Sequence, residues 1–186
     1  MPVRTMLAGA IGHHQAGRLT QAEQGYRAVL AVEPRNADAL HLLGVVAHQR
    51  GQNDVALDLI ERAIGQNARV AAFHANHGNV LGQLGRYVEA AAAYHRAVEL
   101  QPQHVEAYAA LAGALLQQGR LPDALAAIER ALALRPHDAG KHVNRGIILQ
   151  GLGKSDAAIA AYRHAISLEP KLAAAHNNLG LALAAR

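Results

Sequence analysis

Twelve histidines give this chain its greatest potential for chemistry, because an imidazole can bind a metal ion or transfer a proton. A metal centre needs three or four ligands that converge on one ion. The histidines at adjacent or helical spacing come only in pairs, which are His13–His14, His41–His48 and His74–His77. No HExxH motif and no cysteine accompanies them. The sequence therefore predicts neither a metal site nor a metal cofactor.

Acidic and hydroxyl residues are no better arranged for catalysis. Asp54 and Asp58 stand one helical turn apart, but no nucleophile or glycine-rich phosphate loop accompanies this pair. The chain contains only two serines, Ser155 and Ser167, and no cysteine. Since no convergent reactive set can be assembled, the sequence predicts that the chain is not an enzyme and uses no cofactor.

The elements that must position the polar residues follow a period of 34 residues along the whole sequence. Glycines recur at Gly17, Gly51, Gly85, Gly119 and Gly153, and alanines recur at Ala22, Ala56, Ala90, Ala124 and Ala158. Self-similarity at a fixed period predicts stacked copies of one unit, each burying its apolar face against the next. The units in this frame are 3–36, 37–70, 71–104, 105–138 and 139–172, followed by a half-unit at 173–186.

Each unit is predicted to form two α-helices. In the fourth unit Leu111 and Leu115 lie on one apolar stripe at helical spacing, and Ile128 lies on a second. Gly119 is a natural stop for the first helix, and Pro136 ends the second because proline cannot donate within a helix. Small residues recur where the two helices must approach closely. They are Gly44, Gly78, Ala112, Gly146 and Gly180, which face the alanine series, so Ala90 and Ala124 are expected to be buried.

The segment AYAALAGALLQQGRLPDALAAIERALALRP, residues 107–136, carries the small, large and proline positions in order. In these positions the chain resembles the tetratricopeptide repeat family over essentially its whole length. The resemblance implies an all-α, right-handed superhelical solenoid of antiparallel helix pairs, with residues 1–186 as a single array. The family's bulky aromatic early in the first helix is replaced by His74, His142 and His176, which we expect to occupy the helix junction.

The resemblance also implies a binding surface, because in this family the first helices line a concave groove. Residues two places before the small position point into that groove, and the asparagine series at this place is interrupted at Leu42 and Ala110. Asparagine can both donate to and accept from a peptide backbone, so we expect the groove to bind a protein or peptide. The predicted contact residues are Asn76, Asn79, Gln83, Gln117, Asn144, Gln150, Asn177 and Asn178.

Two segments, 13–49 and 173–183, resemble the repeat regions of bacterial proteins similar to O-linked N-acetylglucosamine transferase and of bacterial repeat-fused sulfotransferases. This resemblance implies the substrate- or partner-recognition region of a larger bacterial transferase. The alternative is a structural scaffold that stacks through open solenoid ends and forms homo-oligomers through the terminal helix. That alternative depends on Leu179, Ala182 and Leu183, which we expect to be uncovered.

Composition restricts the partners and the compartment. The formal charge is +4, but the sequence has no basic run of five residues and no set of aromatics for base stacking, which argues against nucleic acid. No apolar run approaches the roughly 18 residues that a membrane span needs. The absence of cysteine fits a reducing compartment, so a cytoplasmic location is expected.

Two local departures from the repeat lead to further expectations. Ala68 stands where the other units carry proline, so the segment 64–71 is predicted to be the weakest joint of the array and its main hinge. His77 takes a place that the family gives to leucine, so it is predicted to be partly buried. Burial disfavours the charged imidazolium, so the pKa of His77 is expected to lie below its ordinary value.

Overall fold

The computed structural model describes residues 2–185, which form eleven α-helices and no strand. The helices are α1 (Val3–Gln15), α2 (Leu19–Val32), α3 (Ala37–Gln49), α4 (Asn53–Gln66), α5 (Ala71–Gln83), α6 (Tyr87–Leu100), α7 (Val105–Gln117), α8 (Leu121–Leu134), α9 (Ala139–Gly151), α10 (Ser155–Leu168) and α11 (Ala173–Ala184). The predicted all-α class is confirmed. Met1 and Arg186, the predicted limits of the array, lie outside the described residues.

The helices group into two compact units, one up to Arg86 and one from Tyr87 onward. In the first unit α1 packs on α2, α3 on α4, and α4 on α5. In the second unit α6 packs on α7, α7 on α8, α9 on α10, and α10 on α11. The predicted weak joint at 64–71 therefore lies inside the first unit, between two helices that pack against each other.

Glycine ends the first helix of every complete pair. Gly119 has a φ of 71°, a left-handed conformation that costs a residue with a side chain. Its N–H donates to the carbonyl of Leu116, and the N–H of Arg120 donates to Leu115, both at 3.0 Å. These two bonds form a Schellman motif, which satisfies carbonyls that the helix leaves unpaired. The same left-handed glycine recurs at Gly17, Gly51, Gly85 and Gly153.

Small residues let the paired helices pack closely, as the repeat predicts. The alanine series is buried at every position, and Ala90 and Ala124 are each 0% exposed, which confirms that expectation. A Cβ added to Gly44 would lie 2.7 Å from Ile60 Cγ1, and one added to Gly146 would overlap the Tyr162 ring. The larger side chains Tyr26 and Tyr162 complete the core of each unit.

Histidine side chains form hydrogen bonds with the turns that precede three of the first helices. The Nε2 atoms of His142 and His176 lie 2.8 Å from the carbonyl oxygens of Pro136 and Pro170. His74 makes the same contact with the carbonyl of Ala68 at 3.0 Å, so this turn has the bond although it lacks the proline. Since a carbonyl only accepts, each Nε2 carries the proton. His74 and His142 are buried at the helix junction, as expected, whereas His176 is exposed.

The last helix is covered differently from what the sequence predicts. Ala182 is only 3% exposed, and Leu179 packs against the apolar core of the second unit. The prediction that both are uncovered is therefore wrong. Leu183 is 46% exposed, as expected, and Leu181 is 58% exposed. The large apolar side chains that α11 leaves exposed are thus Leu181 and Leu183.

Candidate polypeptide-binding faces

In the first unit, an imidazole and two amides form a hydrogen-bonded chain between α3 and α5. Asn76 Nδ2 donates to His41 Nε2 at 2.8 Å, and Asn79 Nδ2 donates to Asn76 Oδ1 at 3.3 Å. The His41 ring also lies against Phe73, with ring centroids 4.5 Å apart. The chain fixes the side chain of Asn76 and leaves Asn79 at the exposed end. Gln83, the third predicted contact in this unit, is exposed on the last turn of α5.

Burial determines the charge state of His41. The side chain is 7% exposed, and this desolvation lowers the pKa of His41 to about 4, although Asp38 opposes the effect. The imidazole is therefore neutral at physiological pH, so Nε2 can accept the bond from Asn76. In the sequence His41 stands out only as half of a helical pair with His48. No pattern in one sequence shows that its ring meets an asparagine one repeat later.

A second polar contact links α1 to α3. His14 Nδ1 lies 3.1 Å from the Tyr26 hydroxyl, and His14 Nε2 lies 3.1 Å from Gln49 Oε1. Because the amide oxygen accepts, Nε2 of His14 donates to Gln49 and Nδ1 accepts from the tyrosine hydroxyl. These residues were absent from the predicted contact set. His14, like Asn76, is therefore already bonded within the first unit.

In the second unit the predicted asparagines are unpaired. Asn144 on α9 and Asn178 on α11 occupy equivalent repeat positions, and α9 contacts both α7 and α11. Neither amide, nor that of Asn177, forms a hydrogen bond with another residue between 2 and 185. Asn144 and Asn177 are exposed, and Asn178 is half-buried. Their donors and acceptors are available to a ligand.

Glutamines of the second unit divide between two environments. Gln150 Oε1 accepts a hydrogen bond from the Tyr162 hydroxyl at 3.1 Å, so one end of this amide is committed to α10. Gln117, by contrast, is exposed near the end of α7. The bond of Gln150 matches that of His14 with Tyr26, because both pairs occupy the same two places in their repeats. Only part of the predicted set therefore presents free amides.

Exposed apolar side chains accompany the free asparagines. Ile147 is 37% exposed and follows Asn144 by three residues, and Leu181 is 58% exposed and follows Asn178 by the same interval. Residues three apart lie side by side on a helix, so each asparagine has an apolar neighbour on its own face. The faces of α9 and α11 thus combine hydrogen-bonding groups with apolar surface.

His77 occupies the environment that the sequence predicts. Its side chain is 20% exposed, and its Nε2 lies 3.3 Å from Glu61 Oε1. Desolvation lowers the pKa of His77, and this outweighs the opposite effect of Glu61. The expected partial burial and the expected direction of the pKa are both confirmed.

Within residues 2–185, no three histidine, cysteine or acidic side chains stand close enough together to hold a metal ion. None of the described helices has the length and apolarity of a membrane span. The amides and imidazoles described above bind through hydrogen bonds.

Comparison with known proteins identifies the family. A tetratricopeptide repeat model matches residues 7–71 and 76–139, and a second model of the same repeat matches residues 111–177. Together these matches extend over most of the chain. The chain belongs to the tetratricopeptide repeat family, whose fold is a general protein-interaction module.

Solved structures of similar fold include MamA and YrrB. MamA is 21% identical, with a TM-score of 0.81 over 91% of this chain and 92% of its own. YrrB, described as a tetratricopeptide repeat protein with an unusual peptide-binding site, is 23% identical, with a TM-score of 0.82 over 92% and 89%. Cellulose synthase operon protein C of Pseudomonas fluorescens strain SBW25 is 35% identical over 98 residues, which are 48% of this chain and 8% of that protein.

Proposed function

We propose that this chain is a protein-interaction module that binds a polypeptide on the faces of its first helices, with α9 and α11 as the main contact. The proposal rests on the side-chain amides of Asn144 and Asn178, which lie at equivalent positions of neighbouring helices and have no hydrogen-bond partner among residues 2–185. An asparagine amide both donates and accepts, so it can replace the hydrogen bonds that an extended backbone makes with water. Such recognition is largely independent of the ligand's sequence.

Apolar contacts supply the second part of this binding. Ile147 and Leu181 lose solvent contact when a chain covers them, which adds about 25 cal/mol for each Å² buried. Side chains of an extended peptide alternate between two sides, so every second one can face these residues. The occupant we propose is an extended segment with apolar side chains at alternate positions.

The first unit has a lesser part in this proposal. Asn76 is already bonded to His41, and His14 is bonded to Gln49. A ligand at Asn76 must replace an existing bond, so its net gain there is small. Asn79 and Gln83 are the exposed amides that we assign to the contact on this unit.

The finer biological setting is also part of the proposal. The resemblance of segments 13–49 and 173–183 supports a recognition region of a larger bacterial transferase, and the peptide-binding site of the similar YrrB fold supports peptide binding. We propose no catalytic activity for the chain itself and, from its lack of cysteine, a cytoplasmic location. A transferase domain encoded in the same gene would support the setting, and a gene encoding none would contradict it.

A double substitution tests the binding face. Asn144→Ala with Asn178→Ala should reduce capture of the chain by an array of random-sequence peptides, because each lost hydrogen bond costs roughly 0.5–1.5 kcal/mol. Gln101→Ala with Gln103→Ala removes two exposed amides from the α6–α7 turn and is the matched control. Equal capture by both double variants would refute the assignment.

A second candidate function is self-assembly. Leu181 and Leu183 of α11 expose apolar surface that a second copy could cover. Sedimentation over a range of concentrations tests this, since assembly requires a mass that rises with concentration. Leu183→Ser should abolish the rise. A constant monomer mass would reject self-assembly and leave polypeptide binding as the function.

A further inference from the structure

The second unit contains an open cavity of about 360 Å³ away from the asparagine faces. It lies where α6, α7 and α8 meet, and buried apolar side chains form its floor. These are Val98 on α6, Leu111 and Leu115 on α7, and Ala127 on α8. The volume falls within the range of about 300–1,000 Å³ that is typical of ligand pockets. This groove has room for at least one large side chain.

The equivalent groove in the first unit is almost closed. Two repeats earlier, the groove between α2, α3 and α4 has a volume of only about 30 Å³. Leu59 of α4 lines it at the position that Ala127 occupies in α8. Exchanging leucine for alanine removes side-chain volume, which accounts for part of the open space. Leu115 stands where the first groove has the smaller Ala47, so the exchange of Leu59 for Ala127 is one contribution to the difference.

Charge differs between the two grooves as well. In the first unit Glu23 pairs with Arg27 and Arg50, and Asp58 pairs with Arg62 at 3.3 Å. The positions of these two acids hold Ala91 and Ala126 in the second unit. Asp58, the acid that pairs with Arg62, is thus missing from the second unit, while the two arginines that pair with Glu23 are replaced there by His95 and Gln118.

One arginine of the second groove consequently lacks the acid that its counterpart has. Arg130, the counterpart of Arg62, lines the cavity and forms no ion pair or hydrogen bond within residues 2–185. Arg120 pairs with Asp123, the one acid on the rim, at 2.7 Å. His95 also stands on the rim. An apolar floor under an unpaired arginine favours a ligand that is both apolar and anionic.

We propose that this groove is a second docking site, which takes an acidic peptide segment with a large aliphatic side chain next to carboxylates. The aliphatic side chain enters between Val98 and Ala127, and a carboxylate pairs with Arg130. Tyr108 lines the same cavity, and its hydroxyl is a donor that a peptide carbonyl can accept from. A partner could thereby be held at two separate surfaces of the chain.

Binding of a defined peptide to the full chain tests this site. The probe is a short fluorescent peptide with a central leucine between aspartates, and its two controls carry asparagine for aspartate or glycine for leucine. We expect the probe to shift the backbone amide signals of Leu111 and Ala127, and both control peptides to bind on the order of tenfold more weakly. Decanoate binding without peptide binding would overturn the proposal. Concentration-dependent covering of the groove by a second copy would overturn it as well.

Two substitutions with a matched control complete the test. Ala127→Leu restores the side chain of the first unit, and Arg130→Glu reverses the unpaired charge at an exposed site. Each should weaken binding of the probe by on the order of tenfold or more, while Arg62→Glu, at the equivalent paired position, should leave it unchanged. Equal effects of Arg62→Glu and Arg130→Glu would overturn the proposal. Loss of the probe in the Asn144 and Asn178 double variant would also overturn it, because the peptide would then occupy the asparagine face.

Discussion

Asn76 Nδ2 donates a hydrogen bond to His41 Nε2 across 2.8 Å, which joins two first helices one repeat apart. The acceptor nitrogen is available only while the imidazole is neutral. His41 is buried against Phe73, so protonation would introduce a charge into an apolar contact and remove the bond. The packing of α3 on α5 is therefore coupled to pH.

The first prediction concerns this coupling. The pKa of His41 is about 4 in the folded chain and about 6.5 when unfolded, so the unfolded chain binds the extra proton between these values. The contribution of the neutral His41 to the free energy of unfolding is fully present above about pH 6.5 and is lost as the pH drops toward 4. His41 should account for a loss of roughly 2 kcal/mol between about pH 7 and about pH 5. Urea unfolding at the two pH values measures the loss.

The control is His41→Gln, which keeps an acceptor for Asn76 but cannot be protonated. Its loss of stability between the two pH values should be smaller than that of the unsubstituted chain by about the same 2 kcal/mol. It should not vanish, because burial also lowers the pKa of His77 and His142. An NMR titration that places the pKa of His41 at or above 6.5 would contradict the prediction.

A second prediction compares two helical glycines at equivalent repeat positions. Gly146→Ala would push a methyl group into the Tyr162 ring and should destabilise the chain by roughly 1–3 kcal/mol. Gly180→Ala meets no atom within 4 Å and should stabilise the chain by up to about 1 kcal/mol, since alanine is the better helix former. Thermal unfolding of the two variants measures both effects. Destabilisation by Gly180→Ala would contradict the prediction, because it would mean that another surface packs against Gly180.

A third prediction concerns the start of α9. Asp138 Oδ1 accepts from the backbone N–H of Lys141 at 3.0 Å, and its other oxygen lies 2.7 Å from Lys141 Nζ. Burial opposes ionisation of Asp138, but the bonds from Lys141 prevail and lower its pKa. Asp138→Ala should cost roughly 0.5–2 kcal/mol through loss of the cap. Asp138→Asn keeps a capping oxygen, so it should cost less, and equal losses in denaturant unfolding would assign the effect to the ion pair.

A fourth prediction concerns the turn that lacks proline. Between α4 and α5, Asn67 Oδ1 accepts from the N–H of Arg69, and His74 bonds the carbonyl of Ala68. These bonds should protect the turn, so hydrogen exchange at 67–70 should accelerate several-fold in His74→Ala. His142→Ala should accelerate exchange less at 135–138, where Pro136 also restricts the backbone. An unchanged rate in His74→Ala would show that this turn is held by other contacts.

The repeat made most of the fold predictable, because small residues recur where helices pack together, and glycine and proline recur where helices end. Ala124 is buried and Gly119 ends its helix as the pattern indicates. Individual side-chain contacts could not be predicted in the same way. That His41 meets Asn76, or that Gln150 turns toward Tyr162, depends on side-chain orientation, which periodicity does not encode.

The groove of the second unit shows the same limit. Ala126 and Ala127 look like ordinary helix formers in the sequence. Their consequence appears only when the cavity is compared with the one beside Asp58 and Leu59. An absent side chain leaves no motif, so space and unpaired charge must be read from three-dimensional packing.

The most direct measurement of polypeptide binding is NMR of the side-chain amides during titration with a peptide selected from the random array. The signals of Asn144 and Asn178 should shift together in a saturable manner, while those of Gln101 and Gln103 stay in place. A peptide that binds without moving the Asn144 and Asn178 signals would contradict the proposed function.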